Sequence, residues 1–329
     1  VRTALLFNLK PVEMPESLPD DWFEECDKPE TIAAIEQAIR ALGVSVTPLP
    51  FDQRLPWRLE EGRFDFVFNI AEGQGRRCRE AVPAAVCELM EIPYTGSDPV
   101  TLGLTLDKWL ARRIVSPEVP VAMGVVIDAC MNESALERLA YPAIVKPNDE
   151  GSSKGIRAGC LVSNATEAVD RSRSLLESYG GTVLVEEFLP GVEITVGIAG
   201  NGKGARLLGM MEIAPKNFAE PFVYSVEVKR DWRNRVSYHV PPRLGEEARQ
   251  EIERLALTAY HLLGCRDIAR IDFRCDASGR PHFLECNPLP GLDPENSDIV
   301  LLSRNQISYD RLVQGILLAA AERNGVSLL

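Results

Sequence analysis

The chain has 329 residues, with 36 Lys and Arg against 48 Asp and Glu, a net charge of −12. Apolar residues make up 45% and charged residues 26%, enough for a core, so a disordered chain is excluded. The excess of acid argues against nonspecific nucleic-acid binding and against docking on anionic membranes. The length suggests about two or three domains.

No run of about 18 apolar residues exists that would cross a bilayer. The start, Val1 to Phe7, leads into a polar, proline-bearing segment without a secretory pattern, so a cytoplasmic location is expected. Cys26, Cys78, Cys87, Cys130, Cys160, Cys265, Cys275 and Cys286 show no CxxC spacing and are expected as small buried hydrophobes. His239, His261 and His282 form no metal pattern.

Residues 3–9 predict a strand. Asp27 and Glu30 have capping-box spacing, with Pro29 in the first turn. Ile32, Ile35, Ile39 and Leu42 continue that helix at helical intervals, and Gly43 closes it. Residues 44–51 and 64–70 predict strands. A helix covers about 80–91, and another begins after Ser97-Asp98-Pro99 and carries Lys108. This alternation suggests a parallel sheet covered by helices.

Strands near 121–127 and 142–147 flank a short helix at 133–140. A Gly/Ser loop at 151–155, a strand, a helix at 165–179 and a strand at 182–188 follow. From 191 the pattern is mostly strand and turn, with a hairpin signal at Asn201-Gly202. A long helix spans 245–263. Strands at 267–275 and 281–287 meet at a turn, and a last helix covers 309–323.

Three clusters suggest chemistry. In the first, Arg270 and Asp272 share one strand face, as do Glu285 and Asn287 on the next strand, because side chains alternate. Two carboxylates and an amide oxygen suit Mg²⁺, and Arg270 suits an oxyanion. The plainer reading is a set of solvated polar positions. In the second, Lys146 ends a strand before Gly151-Ser152-Ser153-Lys154-Gly155, a loop able to present N–H groups to phosphate. Taken alone it is equally a surface turn. It also matches GxSxG around Ser153, but a hydrolase elbow needs a strand–turn–helix context. In the third, Val183 to Glu193 is an apolar strand running into acidic residues. Glu193 would accept from ribose hydroxyls, and the backbone from Glu186 to Leu189 would read an adenine edge. Charged residues at a strand end are the common alternative.

In this order the clusters resemble the ATP-grasp superfamily, and within it the D-alanine–D-alanine ligase family, from about Phe64 onward. Ile92-Pro93-Tyr94-Thr95-Gly96-Ser97 and Leu106-Asp107-Lys108 are similar to the family's approach to its first ATP lysine. The resemblance implies an α/β chain, α+β in its C-terminal half, with three-domain ATP-grasp architecture. The domains expected are an N-terminal α/β substrate-side domain at 1–103, a central ATP-grasp domain at 104–190 and a C-terminal catalytic domain at 191–329.

The activity implied is ATP-dependent joining of a carboxylate to an amine through an acyl phosphate. Lys108, Lys146, Glu186, Glu187, Leu189, Glu193 and Lys229 would bind ATP. Asp272, Glu285 and Asn287 would hold Mg²⁺, two ions by resemblance, with Mn²⁺ as an alternative. Arg270, Ser152 and Lys229 would be catalytic. Partners would be small amino-acid, carboxylate and amine substrates, with neither nucleic acid nor membrane, and the resemblance allows a homodimer.

The amino-acid pockets depart from the family pattern. The N-terminal glycine-rich motif with its ammonium-binding glutamate is absent, with Glu13 or Glu16 as candidate substitutes. The family's His-Gly becomes Glu72-Gly73, and Arg230 stands where a tyrosine follows the γ-phosphate lysine. Asn296-Ser297 stands for the serine–leucine pair, while Ser152 and Gly291 keep the pattern. Altered substrates are therefore expected. Arg76, Arg77, Arg79 and Arg230 suggest an acidic or carboxylate-rich one. The alternative for residues 76–79, above all Arg79, is a solvated helix start paired with Glu80. A genuine D-alanine–D-alanine ligase and a non-catalytic nucleotide-binding module are the competing functions.

Overall fold

The computed structural model describes residues 1–13, 15–75, 77–130, 133–217 and 221–328. The first part alternates strand and helix: β1 (Arg2–Phe7), α1 (Pro29–Arg40), β2 (Ser45–Pro50), α2 (Leu55–Gly62), β3 (Phe66–Asn69), α3 (Ala81–Leu89), α4 (Pro99–Leu106) and α5 (Lys108–Val115). Its strands form a parallel sheet, β2-β1-β3. β1 is buried from Thr3 to Phe7, as a strand covered on both faces must be.

α1 buries Ile32, Ile35 and Ile39 on one face. The expected capping box does not form. The N-cap is Lys28, without a side-chain bond, because the Asp27 backbone is held by Asn8 and Lys10. The sequence reading missed α2, a short helix behind Pro56 that buries Leu55 and Leu59 one turn apart. The single helix expected from Pro99 is two. The chain turns at Asp107, whose carboxylate accepts from Leu110 N–H and from the Asn148 amide. That break makes Lys108 the first residue of α5. The expected division at 103 falls inside α4.

β4 (Gly124–Ile127), α6 (Glu133–Leu136), β5 (Ala143–Pro147), β6 (Leu161–Val162), α7 (Ala165–Tyr179) and β7 (Val183–Glu187) follow. Their sheet is antiparallel, β4-β7-β5-β6. The strand expected after Gly155 is confined to β6, and residues 156–160 are irregular, with a turn at 158–159.

The last part contains β8 (Glu193–Ala199), β9 (Arg206–Pro215), α8 (Val226–Arg230), α9 (Trp232–Arg235), β10 (Val236–His239), α10 (Glu246–Leu262), β11 (Ile268–Cys275), β12 (Pro281–Asn287), α11 (Asp298–Ser303) and α12 (Tyr309–Arg323). Its antiparallel sheet is β10-β9-β8-β11-β12. The Asn201-Gly202 turn joins β8 to β9 as expected.

α11 lies against β8 and β9 at their glycines. A Cβ on Gly209 would sit 2.4 Å from the Leu302 carbonyl oxygen. Gly209→Ala is expected to destabilise the protein by about 1–3 kcal/mol through overpacking. A melting temperature equal to that of the parent would refute this.

α12 returns to the first sheet and shares a core with α1 through Ile35, Ile316 and Leu317. Buried Asp267 ties the parts together, accepting from Gly96 N–H, the Asn201 amide and the Arg323 guanidinium. Among the described residues no helix is long and apolar enough to cross a membrane. All eight cysteines are unpaired. Five are buried, whereas Cys78 and Cys130 are exposed and Cys26 is intermediate, so the expectation of buried thiols fails for those three.

Candidate active site

Strand alternation and register build the centre of the site. Arg270 pairs with Asn287 and Asp272 with Glu285 across β11 and β12. Arg270 donates to Asp272 at 2.9–3.1 Å, and it lies 3.6 Å from Glu285 and 3.5 Å from Asp298. Asp298, the first residue of α11, was not anticipated. Burial pushes Asp272 above the ordinary carboxylate range despite Arg270. Partial burial would raise Glu285 too, but Lys108 and Arg270 bring it down to about 2. Lys108 Nζ is 3.2 Å from Glu285 and also donates to the Glu150 carbonyl. The Asn287 side-chain oxygen accepts from Leu289 N–H.

Beside this centre lies a narrow cavity of 90 Å³, lined by Ile144, Phe188, Leu189, Ile213 and Leu284 together with Lys146, Glu186, Glu187, Glu193 and Lys229. Its apolar walls and polar rim are those of a site for a flat ring with a charged tail. Lys146 Nζ bonds Glu186 at 2.6 Å, and Arg112 bonds the other carboxylate oxygen. Burial alone would raise Glu186, but these two cations hold it below its ordinary value. The N–H groups of Glu187 and Phe188 are taken by Met123 and Pro142 carbonyls. That of Leu189 makes no hydrogen bond among the described residues. Arg274, also unanticipated, spans the rim. It bonds Glu193 at 3.0 Å and the Leu189 carbonyl, with its guanidinium 4.7 Å from the Phe188 ring. Burial pushes Glu193 up to about 7 against the pull of Arg274. Arg274→Ala is expected to raise KM for ATP roughly tenfold, the effect of about 1.4 kcal/mol. A loss of melting temperature with unchanged KM would show that Arg274 only supports the fold.

A larger chamber of 560 Å³ opens on the other side of Arg270 and Glu285. It contains Ser152, Lys229, Arg230, Asn287, Gly291, Asn296 and Ser297 on its walls. Ser297 Oγ accepts from Asp293 N–H, and a Cβ on Gly291 would meet that hydroxyl at 3.2 Å. Lys229 makes no ion pair among the described residues. Arg230 reaches the chamber, but its fork is held by Asp20 at 2.7 Å and Glu24 at 2.8 Å. Arg77 lines neither cavity, is 69% exposed and lies 3.7 Å from Asp107. Arg76 lies outside the described residues.

The solvated reading of Arg79 is wrong. Arg79 is 5% exposed and joins Glu25 and Glu150, each 3.1 Å away. Lys154 pairs with the same two carboxylates, and Glu25 also accepts from Gly151 N–H at 2.8 Å. Glu13 and Glu16 are exposed and line neither cavity. The acids of the N-terminal segment that reach the chamber are Glu24, Glu25 and Asp27. The visible signal was an acidic pair inside Trp22-Phe23-Glu24-Glu25-Cys26, an amphipathic stretch between β1 and α1.

Ser153 is not a hydrolase nucleophile. Its hydroxyl donates to the Tyr224 carbonyl, turns follow it rather than a helix, and no histidine lines either cavity.

Solved structures share this architecture across nearly the whole chain. The D-alanine–D-alanine ligase from Bacillus anthracis complexed with ATP has a TM-score of 0.76 at 20% identity, covering 98% of each chain. The VanG D-Ala:D-Ser ligase from Enterococcus faecalis has a TM-score of 0.72 at 18% identity, covering 97% of this chain and 99% of that one. The fold is thus that of an ATP-grasp ligase. The family model described as D-ala D-ala ligase C-terminus matches residues 125–318. The chain is 30% identical to a D-alanine–D-alanine ligase from Mannheimia succiniciproducens, over 86% of this chain and 90% of that one. It is 32% identical to one from Aquifex aeolicus, over 80% and 85%. The chain belongs to the D-alanine–D-alanine ligase family and is an ATP-dependent enzyme that forms carbon–nitrogen bonds.

Proposed function

We propose that this enzyme joins a carboxylate to an amine through an acyl phosphate, with substrates other than two D-alanines. The observation that carries the altered specificity is the 560 Å³ chamber, whose wall holds Glu24, Glu72, Glu80 and Arg230, the arginine fixed by Glu24 and by Asp20 outside the wall. A site shaped by particular hydrogen bonds rejects analogues that lack them. A genuine D-alanine–D-alanine ligase is the second reading, favoured by the relatives' own activity along most of the chain.

In this mechanism ATP enters the narrow cavity. Leu189 N–H faces the ring, Glu193 the ribose, and Lys108, Lys146 and Lys229 the phosphates. The substrate carboxylate attacks the γ-phosphate, giving ADP and an acyl phosphate. The amine then adds to the carbonyl, phosphate leaves, and an amide remains. Arg270 donates to the oxyanion of that addition, and Ser152 positions the first substrate.

Asp272, Glu285 and Asn287 fit Mg²⁺, with hard oxygen donors from two paired strands and phosphate oxygens to complete the shell. Two Mg²⁺ ions would supply neutralisation of the phosphate charge. The ATP requirement and eight unpaired thiols suit the cytoplasm.

The test is phosphate release from ATP and Mg²⁺ with paired D and L amino acids, the product identified by mass. Release with D-alanine alone at ordinary concentrations would leave the second reading. Release with no pair would leave a nucleotide-binding module.

A further inference from the structure

Nine carboxylates line the chamber against seven Lys and Arg, and the ion pairs reach only some of those acids. Glu24 is matched by Lys10 and Arg230, Asp293 by Lys28, and Glu285 by Lys108. Arg270 faces Asp298, and Arg79 and Lys154 serve Glu25 and Glu150. Three wall carboxylates remain: Glu72, Glu80 and Asp27. Among the described residues none of them makes a side-chain hydrogen bond or ion pair. Glu80 is only 7% exposed, so its carboxylate has little bulk water to replace a partner.

We propose that the chamber selects an amino acid carrying a second positive charge, with one cationic nitrogen at Glu72 and Glu80 and the other at Asp27. The inference rests on the ligase reading and names its substrate class. Two separate anionic places are present. Glu72 feels Glu80 and Glu25, and Glu80 feels Glu25, with Arg79 and Lys154 at longer range drawing both down, whereas Asp27 feels Asp293 and no cation. Burial, with Glu25 nearby, pushes Glu80 up to about 7 against the pull of Arg79. Burial and Asp293 push Asp27 up to about 7. Such groups lower their free energy by meeting a cation or by binding a proton.

A metal ion does not account for them, because no cluster of three or more His, Cys, Asp or Glu with ligand geometry exists among the described residues. A substrate's α-ammonium would answer one place and leave the other. An acidic substrate would add charge of the wrong sign, and the arginine expected to receive it, Arg230, is already paired.

The experiment compares kcat/KM for ornithine, 2,3-diaminopropionate, alanine and glutamate, each as D and L, by phosphate release with product mass. The diamino acids are expected to exceed alanine of the same hand at least tenfold, with glutamate lowest. Glu80→Gln is expected to lower the diamino-to-alanine ratio at least tenfold, and retained nucleotide binding reports that the variant folds. Glu72→Gln provides the same test should Glu80→Gln not fold. Preference for alanine or glutamate, or an unchanged ratio in the folded variants, overturns the inference while the ligase reading stands. Release with no pair overturns both.

Discussion

Arg270→Ala is expected to lower kcat by roughly 10²–10³, the loss found when one oxyanion donor is removed. Arg270 is only 12% exposed and faces three carboxylates, Asp272, Glu285 and Asp298, which hold its fork in one orientation. Its charge is secure, since these acids raise its pKa well over the burial penalty. Removing it also leaves those acids facing one another, and breaking a buried pair costs about 3–5 kcal/mol. The two effects separate with Arg270→Lys. Lysine keeps the charge and loses the fork. The melting temperature should then stay close to the parent's while kcat still falls at least about tenfold. If kcat of folded Arg270→Lys and Arg270→Ala stays within threefold of the parent, roughly 0.6 kcal/mol, Arg270 does not serve the reaction.

Glu25→Gln is expected to lower stability and to change its dependence on pH. Burial would raise the Glu25 pKa, but Lys154, Arg79 and the Gly151 N–H lower it from 4.5 to about 2. A fall of that size in a buried group corresponds to about 3 kcal/mol. The sign follows from proton binding. The folded state holds Glu25 ionised, so its contribution is complete above about pH 4.5. It is lost as pH falls toward 2, where both states become protonated. Glu25→Gln should lose about 3 kcal/mol at pH 7 and show a flatter loss of stability between pH 4.5 and 2. Urea unfolding at pH 7 and pH 3 reads both quantities. Equal stability at pH 7 would mean that Glu25 does not pin the N-terminal segment to the phosphate loop.

The strand pair that carries Arg270, Asp272, Glu285 and Asn287 was legible because its geometry is local. Alternation places Arg270 with Asp272 and Glu285 with Asn287, and the short turn after Cys275 makes the two strands neighbours. The long helices α1, α7, α10 and α12 were legible from apolar spacing. The division at Asp107 was not. Nothing in Leu106-Asp107-Lys108 marks a break until Asn148 is there to bond Asp107. Short α2, α8, α9 and α11 carry too few residues for a periodic signal.

The acidic-substrate expectation read charge from a run of arginines. Charge on a line of sequence says nothing of which acids will face it. Lys154 and Glu25 are 129 residues apart, and Arg230 and Asp20 are 210 apart. Those pairings turn a basic run into a chamber with uncompensated carboxylates.

Composition and the order of motifs by themselves determined an acidic, globular α/β chain that resembles the ATP-grasp ligases, because charge, periodicity and strand alternation depend on residue type and on spacing within one strand or helix. Only the tertiary structure decided that Glu25 and Arg79 are buried partners, that Asp298 and Arg274 belong to the site, and that the chamber is anionic. Those facts arise from contacts between distant segments, where burial strips water from charged groups and makes the identity of each partner decisive.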